Sequence, residues 1–342
     1  MFSKRSAVVF LSVVTIVALA VLFSSCGGGG GAAGTAIDNS RANGDYKIII
    51  MKGGSGGYGG GNVIGTFSFN GAGVATFNTS TFPYTVTTDN AITLDSTLIG
   101  NMRSGGTFFV VSDVTTTRTG IIVGIKQSDL ATETTNTYMS GVFGHNGTNS
   151  SAGIVSVVTA SPTTGQLTIN NIAGSSPTGT IPYSLTLSNG TFTVSDAIGA
   201  ISSDKEMMIM GDVITPDVMG LVGLKLPGSG MTAASVNGSY IMHEYKDPNV
   251  SGNGPIIVSR GRMIMSGGTG STGTATFTEL ATSGTPTTVS QTFGYTMASD
   301  GTFTIQYPGY KGAALADGSV ITLVDYDPAG DNQVSLIIGV KQ

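Results

Sequence analysis

The sequence predicts an all-β protein: three tandem antiparallel β-meander modules, barrel-like and of about eight strands each, behind an N-terminal signal helix. The first observation behind this is an internal repeat. Gly100 to Lys126 reads GNMRSGGTFFVVSDVTTTRTGIIVGIK, and its pattern returns at Gly199 to Lys225 and at Gly312 to Lys341. In each copy an Asp (Asp113, Asp212, Asp325) lies thirteen positions after the opening Gly, and the copy closes on an apolar run, Gly, an aliphatic residue and Lys. The second observation is composition. Charged residues are 10% of the chain and Gly is 52 of 342, so the polar surface has to be built from Thr, Ser, Asn and backbone. Hydrophobic content of 40% excludes disorder as the reason for the low charge. The third is turn chemistry: short runs of Val, Ile, Leu, Met, Phe and Thr are separated by Asn-Gly, Asp-Gly and related pairs.

Taken in order, the first module reads as strands at 45–51, 63–69, 73–79, 83–88, 91–95, 97–102, 107–113 and 120–126. Gly44-Asp45-Tyr46, Gly141-Val142-Phe143 and Gly238-Ser239-Tyr240 mark three starts at intervals of 97 residues. Midpoint markers follow at Pro83-Tyr84, Pro182-Tyr183 and Gly294-Tyr295, then turn pairs at Asp89-Asn90, Asn189-Gly190 and Asp300-Gly301. Such pairs predict type I′ hairpins, with positive φ at both central residues. A further turn falls at Ser104-Gly105, Asp204-Lys205 and Asp317-Gly318. The modules span 44–127, 141–226 and 238–342; 128–140 and 227–237 read as linkers. The third copy carries an insertion of about fifteen residues within 246–290, which a surface loop tolerates cheaply.

Runs such as Phe108-Phe109-Val110-Val111 and Ile121-Ile122-Val123 are apolar at consecutive positions, so both their faces need cover. Closing each meander into a barrel covers one face and removes open edges. The rhythm and the Gly-x-aromatic start resemble the up-and-down barrels of avidins and lipocalins, which implies an eight-stranded closed meander; the ligand-stacking tryptophans of avidins have no counterpart, because the chain has no Trp. The alternative architecture is a six-bladed propeller with two four-stranded blades per repeat, against which the two halves of each module are unlike.

Lys4 and Arg5 precede an apolar run from Ala7 to Phe23, and Ser24, Ser25 and Cys26 follow: the layout of an export signal over residues 1–25. Leu22-Phe23-Ser24-Ser25-Cys26 resembles the lipobox of bacterial lipoproteins. The resemblance implies cleavage before Cys26, a diacylglycerol thioether on its sulfur and an acylated N-terminus. Cys26 is the only Cys, so there is no disulfide framework, and lipidation accounts for it. Residues 26–43, opening GGGGGAAGT after the Cys, read as a flexible tether with a reach of roughly 25 Å. Gly27 in place of Asp implies, by the same resemblance, sorting to the outer membrane.

Catalytic signatures are sparse. His145 and His243 are the only histidines, they fall at non-equivalent positions, and both read as solvent-facing or turn residues. Zinc needs more nitrogen or sulfur ligands than these supply. Gly53 to Gly57 fits G-x-S-x-G and Gly54 to Gly59 fits G-x-G-x-x-G, but in a glycine-saturated loop without the helix either motif requires. Ser202 to Lys205 fits S-x-x-K at a predicted hairpin turn. Asp113, Asp212 and Asp325 read as strand-end residues that bond turn amides. Asp325, Asp327 and Asp331 form a candidate Ca²⁺ set, although Ala329 and Leu336 stand where an EF-hand needs ligands. A formal charge of −5 and the absence of a basic patch exclude nucleic acid as a partner.

The reading that follows is a lipid-anchored outer-membrane or cell-surface lipoprotein with a non-enzymatic structural or interaction role and no cofactor. Its partners are the membrane, through Cys26, and an envelope protein or polysaccharide. The alternative is a carrier with a small molecule inside each barrel.

Overall fold

The computed structural model describes residues 36–52, 63–95, 97–115, 119–127, 135–146, 150–161, 165–173, 179–182, 184–186, 189–194, 197–212, 218–248, 256–283, 290–305, 309–326 and 333–342. Among them all long elements are strands. The first unit runs β1 (Asn43–Lys52), β2 (Val63–Asn70), β3 (Val74–Phe77), β4 (Ser80–Val86), β5 (Ala91–Leu94), β6 (Leu98–Met102), β7 (Phe108–Asp113) and β8 (Gly120–Lys126). The second runs β9 (Asn136–Asn146), β10 (Ser150–Ser161), β11 (Gln166–Ala173), β12 (Gly179–Pro182), β13 (Ser184–Thr186), β14 (Thr191–Val194), β15 (Ala197–Ile201), β16 (Met207–Asp212) and β17 (Val218–Lys225). The third runs β18 (Gly238–Asp247), β19 (Ile257–Gly267), β20 (Thr272–Thr282), β21 (Gln291–Met297), β22 (Thr302–Ile305), β23 (Tyr310–Ala314), β24 (Val320–Asp325) and β25 (Val334–Lys341).

Units one and three are closed eight-stranded barrels in meander order, so the propeller alternative is overturned. Unit two is a nine-stranded sheet with β12 and β13 at its ends. These two strands pair as the halves of β4 do: Ser80–Pro83 pairs with β3 and Tyr84–Val86 with β5, as β12 pairs with β11 and β13 with β14. The sheet of unit two is therefore the same meander with its fourth strand divided. Three features differ from the sequence reading. Register places Tyr46, Tyr138 and Tyr240 opposite Lys126, Lys225 and Lys341, so the second unit starts with Tyr138 and not with Gly141-Val142-Phe143; β9 takes in residues 136–140 of the expected linker. The regular spacing of 97 matched residue types but not pairing. The turn pairs have positive φ only at the second residue (Asn90, Gly190, Gly301), with Asn90 N–H bonded to Thr87 C=O. They are type I turns closed by a left-handed residue, the three-residue hairpin loop, rather than type I′. Part of the third unit's insertion lengthens the β19–β20 hairpin to 11 residues a strand, against 8 and 4 in β2 and β3.

Each unit has its own interior. Tyr46, Phe69, Tyr84 and Phe109 fill barrel 1 in edge-to-face pairs 4.9–5.6 Å apart, and Phe67 packs beside them, edge-on to Phe69 at 6.1 Å. Tyr138, Phe192 and Met208 sit inside unit two, and Met263, Tyr295 and Phe303 inside barrel 3. The doubly apolar strands are explained by a fourth core between the units. In β7, Phe109 and Val111 face the barrel while Phe108 and Val110 face residues of the other two units, including Met207, Ile209, Val324 and Leu336. Strand β1 packs on β16 and β17; β9 packs on β23, β24 and β25; β18 packs on β6, β7 and β8. The first strand of each unit meets the last strands of the next, a head-to-tail contact that closes after three units.

The opening Gly of the repeat is a packing requirement. A Cβ at Gly100, Gly199 or Gly312 would lie 1.9, 2.5 or 1.8 Å from the carbonyl oxygen of Val110, Ile209 or Thr322 on the neighbouring strand. No side chain fits there, which is why the signal recurs.

Candidate functional site

The three units meet at one end through equivalent turns, residues 103–107, 202–206 and 315–319. In each, the first N–H (Arg103, Ser202, Leu315) donates to the carbonyl that opens the next strand (Phe108, Met207, Val320). The fourth residue (Gly106, Lys205, Gly318) takes a left-handed φ of 70°, 61° or 64°. Its carbonyl accepts from the buried tyrosine of the first strand. Tyr46 donates to Gly106, Tyr138 to Lys205 at 3.2 Å, and Tyr240 to Gly318 at 2.6 Å. Burial holds the hydroxyls of Tyr46 and Tyr240 well above the usual phenol range.

One side chain joins the turns. Arg103 donates from Nη1 to Asp204 at 2.8 Å, from Nη2 to Asp317 at 2.8 Å, and from Nε to the Ser319 hydroxyl at 2.8 Å. Its Nη2 also lies 2.5 Å from Glu206. A single guanidinium from unit one thus binds two carboxylates of unit two and one of unit three. Burial pulls the Asp317 carboxyl up, but the Ser319 hydroxyl and Arg103 more than offset it and hold it below the ordinary carboxylate value. Arg103 is held as a cation by Asp317 and Glu206 against its own desolvation. The equivalent residues are Ser202, whose hydroxyl bonds Asp204 and Met207 N–H within its own turn, and Leu315, which joins the shared core. The S-x-x-K match is therefore a hairpin turn. The readable signal for this hub was a cationic residue in one copy of a turn that is acidic in the other two.

His243 corrects the expectation of a solvent-facing or turn residue. It is fully buried on the outer face of β18, with Nδ1 3.0 Å from the Ser112 hydroxyl of β7. Desolvation, with Arg260 nearby, pulls its pKa down to about 3, so it is a neutral contact between units three and one. Two further contacts tie the units there. Tyr245 donates to Lys52 C=O at 2.6 Å and meets the ring of Phe143 edge-on at 4.8 Å. His145 is described through its backbone, opposite Ser151 and Val218.

Asp113 is the expected strand-end residue: one carboxylate oxygen accepts from Thr115 N–H at 2.9 Å and its hydroxyl at 2.6 Å. Asp325 occupies the equivalent register and is 2% exposed. Asp327, Asp331, Cys26 and the glycine loop at 53–62 lie outside the described residues. Among the described residues no three His, Cys, Asp or Glu side chains are grouped to hold a metal ion.

No family model matches the chain, and no curated protein does. Among solved structures, isotype 1 transferrin binding protein B from serogroup B Neisseria meningitidis aligns over 82% of this chain and 59% of its own, at 11% identity and a TM-score of 0.31. This chain thus spans less than two thirds of that structure. The H. pylori beta clamp aligns over 87% and 91% at 6% identity and a TM-score of 0.12.

Proposed function

We propose that the chain is a lipid-anchored lipoprotein of the outer membrane or cell surface, and that the three-unit body serves as a non-enzymatic interaction module. The observation that carries this reading is how the predicted tether meets the body. Residues directly after the Gly-rich stretch are tied down: Thr88 N–H donates to Ala36 C=O, Ile37 bridges Thr87, and Asp38 N–H donates to Val86 C=O. The Arg41 carbonyl then lies beneath Gly106, in the turn next to Arg103. A lipid on Cys26 would hold the body by its Arg103 end and turn the opposite end away from the bilayer. Partners reached in that pose are an envelope protein or polysaccharide. The carrier alternative meets an obstacle in unit one, whose barrel is filled by its own aromatic side chains.

Cys26→Ala tests the anchor. The parent is expected in the membrane fraction, released by detergent and labelled by palmitate. The variant is expected in the aqueous fraction without label. A variant as tightly membrane-bound as the parent contradicts the proposal.

A further inference from the structure

The three units differ in one wall. In barrel 3, β20 runs on past Phe277, and its residues 278–282 pair with residues 259–262 of β19. In unit two, β11 runs on past Ile169 and sets Asn170, Asn171 and Ala173 opposite Val157, Ser156 and Val155 of β10. Register against the anchoring tyrosine makes residues 63–66 of β2 the equivalent segment of barrel 1. There the wall stops short. Phe77 stands opposite Phe67 as Phe277 stands opposite Met263, but the chain then turns back through Asn78, at a φ of 55°, and Ser80 opens β4. Strand β2 pairs with β3 only over residues 67–69. Among the described residues, residues 63–66 are therefore paired on their β1 side alone.

Three observations point to a strand at this edge. Exposure is the first: Val63 and Gly65 are half-buried, whereas their covered equivalents Ser259 and Gly261 are buried. Second, the covering strands of the two sister units share an irregularity. Each pairing shifts register at the same place, between Val155 and Ser156 and between Arg260 and Gly261, the equivalents of Ile64 and Gly65. The fold thus takes a strand here twice, in the same way. Third, the edge is undefended. Free edges are usually blunted by charge or proline. Val63, Ile64, Gly65 and Thr66 carry neither, while the covered segment of β19 holds Arg260 and Arg262. In an antiparallel strand successive residues aim their N–H and C=O groups at opposite neighbours, so alternate residues of this segment present both groups to the free side.

We propose that the free edge of β2 docks one extended strand of a partner protein, which completes the wall of barrel 1 as residues 278–282 complete that of barrel 3. Main-chain hydrogen bonds supply the attachment, as in other cases of strand addition. The chemistry of the occupant follows the strands that cover the sister edges, Thr-Glu-Leu-Ala-Thr and Asn-Asn-Ile-Ala: short polar and aliphatic residues with little charge. Val63 lies opposite Ile50, four residues along β1 from Tyr46, toward the end opposite the Arg103 turns. A body held by its Arg103 end offers this edge away from the bilayer. The inference deepens the interaction reading and takes from it only that the partner is a protein; the docking itself does not need the anchor at Cys26.

Hydrogen exchange of the full chain in detergent, read by mass spectrometry, tests the proposal, with a synthetic peptide of residues 278–283 as the probe. The peptide is expected to slow exchange of the amides of residues 63–66 by roughly tenfold near saturation. Half-saturation is expected below about 1 mM. Two versions of the peptide, N-methylated on opposite sets of alternate residues, separate strand pairing from adhesion by side chains. A docked strand turns only one set of N–H groups to the edge, so one version should bind like the parent peptide and the other roughly tenfold or more weakly. Unchanged exchange at residues 63–66, slowing confined to other segments, or equal binding of the two methylated peptides overturns the proposal. A dimer of the chain that already protects residues 63–66 without peptide also overturns it, since a second copy would then hold the edge. None of these readouts changes with the outcome of the Cys26→Ala experiment, so the docking and the anchor fail separately.

Discussion

Single residues carry much of the connection between units, and several were hidden in the sequence. Tyr46 was visible as an aromatic start marker, but its role lies in a hydroxyl that reaches a turn 60 residues away. Tyr46→Phe leaves the Gly106 carbonyl without that donor and is expected to cost about 1–2 kcal/mol, read from the urea midpoint. His243 was misplaced because nothing local distinguishes an outward strand position facing water from one facing another unit. Its folded pKa of about 3 lies below the unfolded value of 6.5. The neutral ring therefore contributes stability that is full above about pH 6.5 and is lost as pH falls toward 3. Glu244, raised by burial, acts in the opposite sense and is common to parent and variant. In His243→Ile, which copies Ile49 of barrel 1, urea unfolding at pH 7 and pH 5 is expected to show a smaller loss on acidification than the parent. An equal loss would mean that His243 does not titrate as its burial requires.

At the scale of strands and turns, the sequence was most legible where backbone geometry leaves one choice. Gly100, Gly199 and Gly312 were the strongest repeat signal because the adjacent strand occupies the space of a Cβ. Gly100→Ala is expected to destabilise by about 3 kcal/mol or more, by forcing the β6–β7 pair apart. Gly294→Ala, with nothing within 4 Å of its Cβ, is expected to change stability by about 0.5 kcal/mol or less. Similar urea midpoints for the two variants would contradict the packing argument. Eight strands in the first unit were readable from alternation and turns, each to within a few residues. The start of the second unit was not. Gly141-Val142-Phe143 imitates the marker, but Phe143 joins the core between units while Tyr138 holds the turn. Residue type repeats there without register, and only cross-strand pairing tells the two apart.

At the scale of the whole molecule, runs apolar on both faces were read correctly as needing two covers, and barrel closure supplied only one. The second is the neighbouring unit, so the chain is a closed ring of three meanders around a shared core rather than three domains on linkers. Arg103 could not be found by motif, since Ser202 and Leu315 replace it in the other copies. Arg103→Met leaves Asp204, Glu206 and Asp317 facing one another without their cation. The expected cost is about 2 kcal/mol, less than for a fully buried pair because Asp317 is 52% exposed. Added salt should recover part of it by screening the repulsion. Asp317, held below 3.8 by the Ser319 hydroxyl and by Arg103, contributes stability present above that pH and lost as pH falls through its lower folded value; the variant, which keeps Ser319 but not the guanidinium, should show a smaller acid loss.

The shared core is the claim on which the rest depends, and scanning calorimetry of the full chain in detergent tests it most directly. A ring of units that complete one another's cores should unfold in a single transition, with calorimetric and van't Hoff enthalpies equal. Arg103→Met should lower that transition without dividing it. Two or three separate transitions in the parent, each with the enthalpy of about a hundred residues, would show independent barrels and contradict the account.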